Sequence, residues 1–217
     1  MSLQRLASLT GLLGPVFVII GLATMDAPEA SLPDAQIQQW FATHGLGHWF
    51  LSSLAVAIGG VFLLVFAAVA AARQEAVGAG PIGRHLTSVA ATAWGLLVLV
   101  GASVYAAVPA THTFMSTQPP TADTYRYVGG IFYGTLVMFC ALAAALLAAT
   151  LSITSLRTGL LPRGLAVAGI PASVLMLANA MLPMAVITLW FAAAAITMTV
   201  RGARAPSVAV SRATALA

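Results

Sequence analysis

The sequence predicts an all-α integral membrane protein: a bundle of six transmembrane helices, both termini cytoplasmic, with a short interfacial helix in the first outer loop. Three observations predict it. Of 217 residues, 60% are hydrophobic and only 6% are charged, against roughly 25% charged in a soluble globular chain. The apolar residues gather in runs long enough to cross a bilayer, separated by polar breaks. The nine arginines, in a chain without lysine, fall almost entirely on one side of the resulting topology. A mean hydropathy of +0.99 leaves too little polar surface for a soluble enzyme, a disordered chain or a nucleic-acid binder. The net charge of +4 comes from scattered arginines and forms no basic patch.

A spanning helix needs about 20 mainly apolar residues. Runs of that kind cover about 6–25, ended by Asp26 and Pro28; 49–72, ended by Arg73 and Glu75; 86–108, ended by Pro109; and 127–153, followed by Arg157. The last apolar stretch, 165–200, would reach roughly 54 Å as one helix at about 1.5 Å per residue. That far exceeds a hydrocarbon core of about 30 Å. It is therefore read as two short spans, 165–180 and 184–200, turning near Asn179. With this count Arg5, Arg73, Arg84, Arg157, Arg163, Arg201, Arg204 and Arg212 lie inside and Arg126 alone lies outside, as the positive-inside rule asks. A five-span count would put the three C-terminal arginines on the wrong face.

One domain is expected over 1–205, with 206–217 a flexible cytoplasmic tail. The first run has an arginine before it, as a signal peptide does, but it is long and lacks a small-x-small cleavage site after Thr24. It is read as a span.

No Asp, Glu, Lys or Arg falls in the middle of any run, which argues against a proton relay, an ion pathway or a voltage sensor. One cysteine, Cys140, excludes a disulfide scaffold and a CxxC metal site. Gly11, Gly14 and Gly21, and the pair Gly130 and Gly134, have the spacing that lets helix backbones approach closely. Packing within the chain is the expected use, and homodimerisation the alternative.

Polar groups gather at the outer end: Asp26, Glu29, Asp34, His44, His48, His112, Asp123, Arg126 and Asn179. Trp40, Phe41, Trp49, Phe50, Tyr105, Phe114, Tyr125, Tyr127, Phe132 and Tyr133 lie there too. Any site is expected at that end. Ser31, Pro33 and Asp34 read as a helix start, Ile37, Trp40, Phe41 and His44 recur at helical spacing, and Gly45 fits a C-cap. Such a helix anchors the loop in the interface or covers a cavity as a lid. Asp123 fits an N-cap, and Tyr125, Arg126 and Tyr127 an interfacial belt.

Three chemistries compete. His44 and His48, with His112 and the outer methionines 25, 115, 176, 181 and 184, would suit copper by ligand softness, but glycines interrupt the pair and HExxH is absent. Nucleophilic catalysis has no GxSxG elbow, and the Gly78, Gly80 and Gly83 loop lacks the lysine of a P-loop. Acid chemistry on a lipophilic substrate is left. A carboxyl group partly desolvated at an interface keeps its proton, and can start a carbocation cyclisation whose charge aromatic faces stabilise. Asp26, Asp123 and Glu29 are the candidate acids. Trp40, Phe41, Tyr105, Tyr127, Tyr133 and Asn179 are the candidate substrate-binding residues. No metal or cofactor is expected.

Two resemblances bear on this. Residues 34–44 (DAQIQQWFATH) and 159–169 (GLLPRGLAVAG) resemble a large actinobacterial group of small six-span membrane proteins of unknown function. That resemblance implies an architecture and no activity. In size and architecture the chain also resembles the small membrane-bound terpene cyclases, which implies acid-initiated, metal-independent cyclisation of a prenyl chain. None of their motifs maps onto these residues, so the candidate acids stand on position alone. The expected function is thus a multi-pass cell-membrane protein with an outer-end site for a lipophilic small molecule or lipid, either a terpenoid cyclase or isomerase. The alternatives are a non-catalytic accessory or binding protein and a copper-handling one.

Overall fold

The structure is a computed structural model and describes residues 3–44, 46–115, 118–178 and 183–201. Among these every regular element is helical: α1 (Leu3–Ala23), α2 (Asp34–Thr43), α3 (Gly47–Ala76), α4 (Pro81–Met115), α5 (Ala122–Thr158), α6 (Arg163–Ala178) and α7 (Pro183–Arg201). Helices α3, α4 and α5, of 30, 35 and 37 residues, are long and apolar enough to cross a membrane. Shorter apolar helices run over Leu9–Ala23, Arg163–Leu177 and Val186–Val200. The apolar stretch 165–200 is divided into α6 and α7, while Asn179 and the turn itself lie outside the described residues.

Helix α3 packs between α1 and α4, the inner half of α5 packs on α4 and α6, and α7 closes the bundle against α1 and α6. The α1–α3 contact is made by glycines. A Cβ at Gly14 would lie 2.8 Å from Leu63 Cγ, and one at Gly21 would lie 2.6 Å from the Ser52 carbonyl oxygen, so the backbones touch where small residues permit it. Gly130 and Gly134 differ: a Cβ at either would meet nothing within 4 Å.

The turns at the arginine-rich end follow from local chemistry. Gly78 and Gly159 adopt φ of 71° and 72°, the left-handed region that favours glycine, and end α3 and α5. Pro81 then opens α4, where its missing N–H costs nothing. Glu75 and Arg84 pair at 2.8 Å across the first turn. Below them Gln74 Nε2 donates to Thr87 Oγ1 at 2.9 Å, tying α3 to α4 where both side chains are buried.

Local starts and stops differ in places from the sequence reading. Helix α4 continues through Pro109 to Met115; proline removes one donor but leaves the following turns intact. Helix α2 begins at Asp34, with Pro33 before it, while the Ser31 hydroxyl turns to Glu29 Oε2 at 3.4 Å. Gly45 lies outside the described residues. Asp123 sits in the first turn of α5, and Thr121 is its cap, accepting from the Thr124 N–H at 3.3 Å. Thr121→Ala is therefore expected to lower thermal stability by about 1 kcal/mol, and Asp123→Ala by less. A larger loss for Asp123→Ala in detergent melts would reverse the assignment.

Residues Gly134–Phe139 of α5 form a π-helical segment, a widened turn of a kind common near functional sites.

Candidate functional site: a strapped chamber

Between α1 and α2 the chain runs as a ten-residue strap, 24–33, across the end of the bundle away from the arginine-rich turns. An irregular strand has carbonyls to satisfy, and α3 and α5 supply the donors. The Ser52 hydroxyl donates to the Thr24 carbonyl at 2.9 Å. The Tyr125 hydroxyl donates to the Pro28 carbonyl. Arg126 reaches further along the strap: Nε donates to the Ala30 carbonyl at 2.9 Å and Nη2 to that of Leu32 at 2.8 Å. Its Nη1 pairs with Asp34 at 2.7 Å and Asp123 at 3.3 Å. The planar fork of arginine suits four partners at once. Gln38 adds a bond from α2 to the Pro120 carbonyl at 3.0 Å.

Under the strap lies a cavity of about 690 Å³, walled by Leu22 and Met25 on one side and by Tyr105, Phe132 and Tyr133 on the other. Tyr105 and Tyr125 are buried and Tyr133 is 58% exposed, and all three line the chamber. Glu29 is the acidic residue among those lining it, with Ser31 beside it. That second wall is backed by an aromatic stack: Phe41 faces Trp49 at 6.2 Å, Trp49 meets Tyr105 at 4.7 Å, and Tyr105 lies on Phe132 at 4.3 Å between ring centres. Rings in such tilted and offset arrangements pack rigidly. The chamber wall is thus stiff on the helix side and a single strand of backbone on the other.

A second cavity of about 300 Å³ lies deeper, between α1, α4, α5, α6 and α7, lined by Val18, Trp94, Val98, Cys140, Met176 and Ile187 among others. Leu22 and Leu136 line both spaces.

The structure gathers some of the sequence candidates and separates others. Glu29, itself exposed, and Tyr105 and Tyr133 line the chamber. Asp26 is exposed and is not among the lining residues. Asp123 is exposed and bound to Arg126. Phe41 is buried within the aromatic stack, whereas Trp40 lies parallel to the His44 ring at 4.5 Å on the outer side of α2; neither lines the chamber. Tyr127 is 74% exposed, and Asn179 is outside the described residues. Tyr125 and Arg126, read from sequence as an interfacial belt, instead hold the strap, and Gly129 and Gly130 line the chamber. His44 Nδ1 is engaged with Thr43 Oγ1 at 2.9 Å and the Trp40 carbonyl at 3.1 Å. Among the described residues no three His, Cys, Asp or Glu side chains gather as a metal-ligating group.

Comparison of the chain with family models, with curated proteins and with solved structures gives no match.

Proposed function

We propose that this chain is a multi-pass protein of the cell membrane that holds a lipophilic small molecule beneath the strap. In this reading six helices span the bilayer, both termini face the cytoplasm with the arginine-rich turns, and the chamber opens at the outer leaflet with α2 in the interface. Support for the orientation comes from Arg73, Arg84, Arg157 and Arg163, which all fall at helix ends opposite the strap. The observation that carries the function is the chamber itself. Its volume lies within the roughly 300–1,000 Å³ of small-molecule sites, its wall is mostly apolar, and a few hydroxyls and one carboxylate converge on it. A membrane protein that only packed helices would gain by filling such a space.

Native mass spectrometry of the protein released gently from its own membranes tests this. The expected result is one neutral lipophile per chain, lost in Gly129→Trp, where a Cβ meets open space and the indole fills the chamber. Protein that is empty when fresh from the membrane overturns the proposal. Stoichiometric copper or zinc in place of a lipophile would put the metal-handling alternative ahead of it.

A second reading, acid-initiated cyclisation or isomerisation of a prenyl chain, draws on one specific feature: Glu29 shares the chamber with the tyrosine rings. Protonated Glu29 would give its proton to an alkene carbon, leaving a carbocation that the ring faces stabilise. A proton lost from a carbon next to the cation would return to the Glu29 carboxylate as its C–H electrons form the new alkene, which restores the acid. Glu29→Gln is then expected to reduce turnover by roughly 100-fold or more with the bound lipophile retained, while the exposed Asp26→Asn leaves turnover unchanged. Unaltered product formation in Glu29→Gln would remove the carboxylate from the chemistry and leave binding alone.

A further inference from the structure

The two cavities are described above as separate spaces, but they share a wall. Leu22 of α1 and Leu136 of the widened turn in α5 line both. The lower space thus adjoins the upper one at these two side chains and runs between α1 and α5 to Cys140. The lining changes character along this path. The upper space has Glu29, Ser31 and three tyrosines. The lower one, apart from Thr188, is bounded by apolar side chains.

Charge narrows the choice of head group. Arg126 is the cation beside the upper space, and its guanidinium is already spent on the Ala30 and Leu32 carbonyls and on two aspartates. Glu29 adds a carboxyl on the lining. An anionic head would enter beside the Glu29 carboxyl with no free positive partner among the described lining residues, and like charges repel. A hydroxyl, phenol or quinone can both give and accept hydrogen bonds with Tyr105, Tyr133 and Ser31.

The upper space is open on the glycine face of α5. At Gly129 and Gly130, which line it, an added Cβ would meet nothing within 4 Å, and Tyr133 beside them is more than half exposed.

We infer that the occupant is a neutral amphiphile with a single apolar chain: its hydrogen-bonding head sits under the strap, and its chain passes between Leu22 and Leu136 into the lower cavity. This rests on the chamber being a binding site, as proposed above, and adds the class of molecule and the direction in which it lies. A phospholipid, with an anionic head and two chains, does not fit either part.

Photo-labelling of the full chain in detergent tests it with three probes. Two are 4-dodecylphenols carrying a diazirine, one on the carbon next to the ring and one at the chain end. The third is dodecyl phosphate with the diazirine next to its head. The expected result is that the ring-proximal phenol labels residues 25–31 or Tyr133, and the chain-end phenol labels Val98, Cys140 or Met176. The phosphate should label the upper space at about a tenth of the phenol's level or less, given an acid on the lining and an arginine already paired. In Cys140→Trp, which fills the lower cavity, chain-end labelling there is lost while ring-proximal labelling persists, and the persistence shows that the protein is still folded. Ring-proximal adducts in the chamber with chain-end adducts on the outward-facing Leu146, Val167 or Leu189 would overturn the threading and leave the binding proposal standing. Equal labelling by the phosphate would overturn the neutral head. Absence of any adduct in the chamber from all probes would overturn both proposals.

Discussion

Gly59→Leu is expected to push α1 off α3 and to cost about 3 kcal/mol, the upper end of what overpacking a close contact costs. A Cβ at Gly59 would lie 2.7 Å from the Gly14 carbonyl oxygen, 2.7 Å from Val18 Cγ2 and 3.0 Å from the Val18 amide nitrogen. Two of these three atoms are backbone, so no rotamer change relieves the clash and the helix itself has to move. Helix α1 supplies Leu22 to the chamber and Val18 to the space below, and Met25 follows it in the strap, so displacing α1 opens both. The matched control is Gly130→Ala, in open space. There the removal of a helical glycine should gain up to about 1 kcal/mol. Thermal melts of the two variants in the same detergent, with bound lipophile followed alongside, check the pair. Equal melting temperatures would mean that the α1–α3 backbone contact contributes nothing.

Arg126→Ala is expected to release the strap without unfolding the bundle. The side chain holds two strap carbonyls and the first residue of α2, and none of the long apolar helices depends on it. Hydrogen exchange at residues 27–33 should accelerate on the order of tenfold or more when a charged donor is taken from those carbonyls, while exchange within α3 and α4 stays as it was. Arg126→Lys should behave like the alanine variant, because one ammonium cannot reach the Ala30 and Leu32 carbonyls and both aspartates together. Unchanged exchange in the strap would assign its order to Tyr125 and Ser52 instead.

Much of the fold was legible in the sequence because it depends on composition and period. The runs that become α3, α4 and α5 are visible as hydrophobicity, and the division of 165–200 follows from length against bilayer thickness. Ile37 and Phe41, spaced by four, do form the buried face of α2. The site was legible only in part, for a physical reason. The strap is held through the carbonyls of Pro28, Ala30 and Leu32, and a carbonyl is the same in every residue. Nothing in the residues 26–33 therefore announces that Tyr125 and Arg126, over ninety positions away, will grip them. The direction of the acids is hidden likewise. Asp26 and Glu29, both exposed, are three apart in irregular chain, where no period decides which one borders the chamber. Thr121 outcompeted Asp123 as a cap because α5 begins at Ala122, two positions earlier than a cap at Asp123 would put it. The widened turn at Gly134–Phe139 has no sequence signature at all.

That widened turn sets the angular phase of α5. Phe132, Leu136, Cys140 and Ala144 are buried at intervals of four. In an unbroken α-helix, at about 100° per residue, a fourfold repeat drifts by roughly 40° each step and by some 120° over the three steps. A π turn absorbs one surplus residue and takes back most of that drift, so one stripe stays aimed at the bundle axis from the tyrosines down to the thiol. Shortening the segment by one residue would rotate the outer third of the helix by roughly a quarter-turn against the inner two thirds. Tyr133 and Arg126 would swing away from Tyr105 and the strap while every apolar span kept its length. In this protein the alignment of the chamber's tyrosines with the apolar cavity below them is an angular property of a single turn.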